Sequence, residues 1–212
     1  MVAIYVTRTG PAQFHAGLYH RDHGPARVVH FAWDRDLRND ALGDVAEEGR
    51  DYRLVALSLD EDDAQTLCAL CRQVAGRHAE TFRFRFAEWR PRFDPVTAEI
   101  VPPVPDERFG FTCATFVLAM LRSAAIGELL ALDQWPVPAP DDTDDRWQNK
   151  LAKLLCPKAA SPEDVARVLA GIGARRVLPT DVAGGAMQSR EHWPVGFVDS
   201  RRAGEQIAAC LL

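Results

Sequence analysis

A cysteine lies at the start of a long apolar run, in the segment "FTCATFVLAML". Thr112 is a suitable N-cap residue, so the run predicts a helix that begins at Cys113. The unpaired amides and the positive dipole end of such a helix favour a thiolate and would lower the pKa of the thiol. The same amides could stabilise an oxyanion formed beside the sulfur. The alternative is that Cys113 is a small hydrophobic residue of the core.

Two histidines occur early in the chain, His15 in "FHAGLYH" and His30 in "ARVVHFAW". Both segments read as strands, and "RDHGP" between them predicts a turn. If cross-strand partners sum to 45, the two histidines oppose each other with Cβ atoms about 5 Å apart. A looser turn around Gly24 makes them diagonal neighbours. In either register one imidazole can take the proton of a thiol while the other orients it.

The elements that would position these residues follow from hydrophobic patterning. "VAIYVTR" and "YRLVALSL" predict two more strands, and "LDEDDAQTLCALCRQVAGRH" predicts a helix with acids in its first turn. The alternation in "TFRFRFAEW" predicts a strand with one solvent-exposed face. In the helix that begins at Cys113, an apolar face is formed by Phe116, Val117, Met120 and Leu121. Two more helices are predicted after it, by "DDRWQNKLAKLLC" and "SPEDVARVLAGIG". Ser161 is the predicted N-cap of the second. The last thirty residues are ambiguous.

Composition narrows the class of protein. The 212 residues carry a net charge of −5 with a pI of about 5.7, which excludes a basic nucleic-acid binder. Lysine is scarce and arginine plentiful, as in proteins from GC-rich bacterial genomes. No secretory signal and no apolar run of the roughly 20 residues needed for a membrane span is present. Five cysteines without a disulfide-like spacing favour a reducing cytoplasm.

Other chemistry-bearing residues favour structural roles. Cys68 and Cys71 have CxxC spacing but no second pair nearby, so we expect core packing rather than zinc or redox chemistry. His20 and His23 flank the turn and are expected to be solvated. We expect a solvated helix N-terminus at 141–145, and a solvent-exposed face rather than an anion site for "RFRFAEWRPR". Asp34 or Asp36 could orient the base if His30 does not. No cofactor or metal is expected.

The motifs "HAGLYH…VVHFAW" and "FTCATFVLAML" resemble the permuted papain-like thiol enzymes of the NlpC/P60 superfamily, in the lecithin:retinol acyltransferase-like branch. The resemblance covers about the first 125 residues. It implies that Cys113 is the nucleophile, His15 the general base and His30 the orienting residue. Where that branch usually has Asn-Cys-Glu-His-Phe, this chain has Thr-Cys-Ala-Thr-Phe over 112–116, and its hairpin turn is longer. These departures weigh more against the branch's lipid substrate than against its chemistry.

Together the residues and the resemblance predict an α+β, circularly permuted papain-like fold, in which an antiparallel sheet packs against a central cysteine-bearing helix. Residues 1–130 would form the catalytic core and residues 131–212 a mainly helical extension that could bind a protein partner. The expected activity is hydrolysis of an amide in a peptide, isopeptide or peptidoglycan stem peptide through an acyl-enzyme. The alternatives are a lipid acyltransferase or phospholipase with the same dyad, and an inactive binding module. A peptide-like or acylated substrate is expected, and no nucleic acid or integral membrane segment.

Overall fold

A computed structural model describes the chain at residues 1–11, 13–22, 24–47, 51–80, 82–86, 91–101, 110–139, 143–159 and 161–211. Its centre is a five-stranded sheet in the order β4-β3-β2-β1-β5, with every neighbouring pair antiparallel. The strands are β1 (Val2–Gly10), β2 (Gln13–His20), β3 (Arg27–Trp33), β4 (Asp36–Ala41) and β5 (Tyr52–Ala56).

Four of these strands match the sequence predictions, whereas β4 was not predicted. The β4 sequence "DLRNDA" is polar, and Leu37 is its one buried hydrophobic residue. An edge strand tolerates such a composition because only part of its surface packs against the protein. The edge position of β4 thus explains why hydrophobic alternation does not reveal it.

Helices α1 to α7, a short ribbon and three 3₁₀ helices complete the described structure. The helices are α1 (Leu42–Glu47), α2 (Glu61–His78), α3 (Cys113–Ser123), α4 (Thr143–Leu155), α5 (Pro162–Ala170), α6 (Pro179–Ala186) and α7 (Phe197–Ala209), and the ribbon pairs β6 (Arg92–Phe93) with β7 (Ile100–Val101). Asp60, Thr112 and Ser161 each accept a hydrogen bond from a first-turn amide of their helix. The predicted starts of α3 and α5 at these caps are therefore confirmed.

Helix α3 is the central element of the core. Phe116, Val117, Met120 and Leu121 are all fully buried, as the predicted apolar face required. The helix contacts β2 and β3 on one side and α2, α6 and β6 on others, so it is surrounded by protein. An antiparallel sheet packed against a central cysteine-bearing helix is thus present, and the class is α+β.

The segment after residue 131 contributes α4 to α7, and it shares the core of the first part of the chain. Helix α6 packs on β1, β2 and α3, and its Val182 and Ala183 are fully buried in the same hydrophobic cluster as Ile4. Helices α6 and α7 approach closely, because an added Cβ at Gly184 would lie 2.2 Å from the carbonyl oxygen of Ser200. The predicted division of the chain into a catalytic core of residues 1–130 and an extension of residues 131–212 stays a prediction.

The sequence predicts a strand over 81–89. The structure describes residues 82–86 of this segment, and the prediction is wrong for them. This segment forms an isolated bridge between Phe84 and Phe111, and its arginines do not face solvent. Arg83 and Arg85 both bind Asp164 of α5, at 3.1 Å each. The alternation of arginine with phenylalanine therefore reflects a buried ion-pair cluster. Residues 81 and 87–89 lie outside the described part.

Among the described residues, no helix combines the length and the apolar composition needed to span a membrane.

Candidate active site

Cys113 is the first residue of α3, and a capping box determines which amides are directed at its sulfur. The Thr112 hydroxyl accepts from the amide of Thr115 at 3.2 Å, and the Thr115 hydroxyl accepts from the amide of Thr112 at 2.8 Å. The amide of Phe116 bonds the Thr112 carbonyl. The capping box does not use the amides of Cys113 and Ala114. Both of these amides bond the sulfur and stabilise the negative charge of the thiolate.

His15 and His30 lie side by side on one face of the sheet. The pairing of β2 with β3 runs from Leu18↔Val29 to His20↔Arg27, so partners sum to 47 rather than 45. The direct opposition of the two histidines is therefore wrong, and the diagonal arrangement given by a looser turn is correct. Their rings nonetheless meet, with Nε2 of His15 2.8 Å from Nδ1 of His30.

Gly17 lies next to His30 and allows this approach. A Cβ added at Gly17 would lie 2.7 Å from Cβ of His30 and 2.9 Å from the Val29 carbonyl oxygen. Any larger residue would therefore displace the imidazole or the strand. The small residue at this position leaves space, and His30 itself fills that space.

Asp40 of β4 extends the pair into a chain of three side chains. Its Oδ2 lies 3.0 Å from Nε2 of His30, so we assign the His30 proton to Nε2. Burial lowers the pKa of His30, opposed by its hydrogen bond to Asp40, and a neutral His30 accepts at Nδ1. Nε2 of His15 then donates to Nδ1 of His30.

The sequence analysis missed Asp40 and named two other aspartates instead. Asp34 accepts from the Phe84 amide at 2.8 Å and pairs with Arg83, while Asp36 pairs with Arg38 on its own strand. Neither bonds His30, and Asp36 acts on it only through its charge, which raises the pKa of His30 slightly against the effect of burial. Asp40 could have been found only by predicting β4 and its register, in which Asp40 opposes Val28, two residues before His30.

The thiol of Cys113 and the imidazole of His15 line the same cavity and reach it from different faces of the sheet. Helix α3 packs on the sheet face that carries Ala16 and Phe31, whereas the histidines lie on the face that carries Tyr19 and Val28. Beyond Gly17 the two strands are no longer paired. The amide of Ala16 donates to the sulfur of Cys113, and both Cys113 and His15 line one cavity at this opening. The sulfur of Cys113 thus lies beside Ala16, the residue that follows His15.

The expected lowering of the Cys113 pKa is wrong in its net direction. Burial raises the pKa of this thiol, and the amides of Ala16, Ala114 and Cys113 and the charge of Arg176 oppose the rise without cancelling it. Cys113 as a residue is partly exposed, and it lines the cavity. Desolvation of the thiolate therefore outweighs the helix N-terminus, and the resting group is a neutral thiol.

The cavity beside Cys113 has a volume of about 530 Å³ and a mixed lining. Aromatic side chains from several segments form much of its wall: Phe14, Phe31, Trp33, Phe84, Phe86 and Trp147. Arg175, Arg176 and Arg201 also line it. The arginines and Trp147 were not singled out in the sequence, because α4 and the segment before α6 reach the site only through the tertiary fold.

The remaining candidate residues have structural roles. Cys68 and Cys71 are buried in the core, which confirms their predicted packing role, and burial raises the pKa of both. His20 is buried rather than solvated, and its Nε2 lies 3.0 Å from Oδ1 of Asn39. His23 lies outside the described residues, as do 141 and 142 of the predicted acidic helix start. Within the part of the chain that the structure describes, no group of three histidine, cysteine or acidic residues is arranged to hold a metal ion.

Comparison with known proteins leaves the site to be interpreted from its own geometry: no protein-family model matches this sequence, and no curated protein and no solved structure matches the chain.

Proposed function

We propose that the protein is a cysteine hydrolase that cleaves an amide bond through an acyl-enzyme on Cys113, with His15 as general base. The observation that carries this proposal is the ordered chain from Asp40 through His30 to His15, with distances of 3.0 and 2.8 Å. A chain of this kind fixes the tautomer of the base, which a purely structural histidine pair does not require.

The reaction starts from a neutral pair. Nδ1 of His15 takes the thiol proton as the sulfur attacks the acyl carbon, and the electrons of the carbonyl double bond move to oxygen. The amides of the first turn of α3 stabilise that oxyanion. Protonated His15 then gives its proton to the leaving amine as the carbon–nitrogen bond breaks, and a thioester remains on Cys113.

Hydrolysis of the thioester uses the same groups in reverse. Water attacks the acyl carbon and gives a proton to His15, and the carbon–sulfur bond breaks with return of the proton to the sulfur. His30 keeps Nε2 of His15 bonded throughout, and Asp40 stabilises positive charge that develops on the two imidazoles. The chain thereby lowers the energy of each charged intermediate.

We also propose that the fold is the circularly permuted papain-like arrangement. In its support, the base and the orienting residue lie on adjacent strands, and the nucleophile follows them in sequence at the start of the central helix. The resemblance of "HAGLYH…VVHFAW" and "FTCATFVLAML" points the same way.

A second candidate is acyl transfer from an ester, as in lipids. The observation that favours it is the aromatic wall of the cavity, which could accept an apolar acyl chain beside Cys113. We rank it second because three arginines share that lining, and a long alkyl chain gains nothing from them.

The proposal is tested by trapping the acyl-enzyme. The protein is mixed with an activated p-nitrophenyl ester, and the burst of p-nitrophenol and the intact mass are followed together. We expect one equivalent of p-nitrophenol and one acyl group on Cys113, with neither in Cys113→Ala. An isopeptide-linked dipeptide, a cell-wall peptide and a phospholipid then separate amide hydrolysis from lipid acyl transfer. An inactive binding module would give no burst and no adduct.

A further inference from the structure

Two helices begin at the cavity that contains Cys113. Residues 112–114 at the start of α3 line it, and so do residues 178–180 at the start of α6. Helix α6 also packs on α3 and on β2, the strand that carries His15. A volume of about 530 Å³ lies within the range of ligand sites, so one bound molecule can contact both helix starts.

Thr180 is a buried residue whose hydroxyl is left for a ligand. Only 4% of the residue is exposed. In the described ranges of the chain, no side chain or backbone group bonds this hydroxyl. The hydroxyl is not among the polar atoms that are closed off in the interior without a partner, so it faces an opening, and the opening that Thr180 lines is the cavity. A buried hydroxyl in such a position favours a hydrogen-bonding ligand.

The polar groups on either side of Thr180 are already used by the protein. The Asp181 carboxylate accepts from the amide of Leu178 at 2.8 Å and binds Arg201 at 2.6 and 3.0 Å. The amide of Asp181 bonds the carbonyl oxygen of Leu178, and Pro179 has no amide hydrogen. Because the Asp181 carboxylate already occupies the first turn of α6, we expect a neutral acceptor rather than an anion beside Thr180.

We propose that Thr180 determines the specificity of the site by donating from its hydroxyl to an amide carbonyl oxygen in the acyl group of the substrate. The acyl group is then peptide-like, with an amide close to the scissile bond. This inference rests on the proposed function, since it names the substrate class of the same site. An alkyl chain would remove water from the hydroxyl without replacing the hydrogen bond, so a lipid acyl group is disfavoured.

The test compares p-nitrophenyl esters of N-acetylglycine and pentanoic acid, whose acyl chains have the same number of backbone atoms. In each reaction the sulfur of Cys113 forms a thioester, the thiol proton goes to His15, and p-nitrophenolate leaves with the electron pair of the broken carbon–oxygen bond. Burst kinetics give the ratio of the two acylation rate constants. Because this ratio is compared between protein variants, the intrinsic reactivity of the esters cancels. N-acetyl-β-alanine and hexanoic acid form a second pair, one methylene longer.

Stability is measured first, because it separates ligand binding from a structural role. Thr180→Val replaces the hydroxyl by a methyl group of nearly the same shape. We expect its urea midpoint to be at least that of the unsubstituted protein, since no bond within the protein is lost. A clear fall in the midpoint would show that the hydroxyl bonds the protein itself, and would overturn the proposal.

The ester ratio then tests specificity. We expect Thr180→Val to lower the preference for the amide ester about tenfold in at least one pair, as the loss of one hydrogen bond would do. Thr180→Ser should retain most of the preference, and Thr66→Val, a change on the exposed surface of α2, should leave it unchanged. A ratio that Thr180→Val leaves unchanged in both pairs would overturn the role of Thr180 and leave the hydrolase proposal intact. No burst with any ester in the unsubstituted protein would overturn the hydrolase proposal itself.

Discussion

Nε2 of His30 lies 3.0 Å from Oδ2 of Asp40, and this contact fixes the proton positions of the whole candidate site. The His30 side chain is only 9% exposed, whereas that of Asp40 is 34% exposed. The carboxylate therefore stays in contact with water while it bonds a buried imidazole. His30 transmits this orientation to His15 through the 2.8 Å bond between their rings.

We expect Asp40→Ala to slow acylation of Cys113 by roughly 10- to 100-fold. A hydrogen bond to a charged group contributes about 1.5–3 kcal/mol, and its loss frees His30 to adopt the other tautomer. The matched control is Asp36→Ala on the same strand, because Asp36 pairs with the exposed Arg38. Burst kinetics with a p-nitrophenyl ester measure both variants. Equal rates in the two variants would show that Asp40 does not act on the base.

Gly17→Ala is expected to disturb the site by packing alone. The new methyl group would lie 2.7 Å from Cβ of His30, so the hairpin must shift, at a cost of about 1–3 kcal/mol in the free energy of unfolding. Acylation should slow as the His15–His30 bond lengthens. Urea denaturation and burst kinetics measure the two effects.

Gly76→Ala provides the control for that substitution. Gly76 lies in the exposed surface of α2, and a Cβ there would meet no atom within 4 Å. The change should stabilise the protein by about 0.5–1 kcal/mol through helix propensity and leave acylation unchanged. If Gly17→Ala behaves in the same way, the close approach of Gly17 to His30 has no role in the site.

The rate of Cys113 alkylation should rise with pH throughout the neutral range. Burial raises the pKa of this thiol, so the thiolate fraction still increases above the pH at which an ordinary cysteine is half ionised, about 8.5. Iodoacetamide with quantification of the modified peptide gives the profile. A plateau reached below pH 6 would instead indicate a preformed thiolate–imidazolium pair.

Acid should destabilise the fold through three buried histidines. Burial lowers the pKa of His20, His30 and His78, so the unfolded chain takes up protons near pH 6.5 that the folded protein does not. Stability is therefore full above pH 6.5 and is lost as the pH falls below it. Each such proton contributes at most about 1.4 kcal/mol per pH unit to the free energy of unfolding.

Urea denaturation at pH 7.5 and 5.5 measures this loss. In His78→Gln, which keeps a donor for the carbonyl oxygen of Ala98, the loss should be smaller, and in His192→Gln, a change of an exposed residue, it should equal that of the unsubstituted protein. A stability that is independent of pH in all three proteins would contradict burial of neutral histidines.

Local sequence signals predicted the parts of this fold that depend on neighbouring residues. The turn between β2 and β3 and the caps Thr112 and Ser161 are set within a few residues, and each was found where the signals placed it. By contrast, the Gly- and Ala-rich α6 has no amphipathic pattern to detect, since every residue of α6 after Pro179 is buried. Its Gly184 is explained only by the contact with α7.

The sequence named residues that could form a site, but it did not predict the energetics of their surroundings. The types and spacing of Cys113, His15 and His30 indicated a nucleophile, a base and an orienting group, whereas the net pKa shift of the thiol depends on how much water the rest of the chain removes. Asp40 and Arg176 enter the site through a strand register and a distant segment. Such long-range contacts leave no periodic signal in the sequence.

The central claim is that His15 activates Cys113, and the most direct measurement is the iodoacetamide reaction of each cysteine in the unsubstituted protein and in His15→Ala. Peptide mass spectrometry at pH 7 resolves Cys113 from the exposed Cys210, which provides an internal reference. We predict that Cys113 reacts faster than the buried Cys68 and Cys71 and that His15→Ala slows Cys113 at least tenfold without changing Cys210. An unchanged Cys113 rate in His15→Ala would contradict the account.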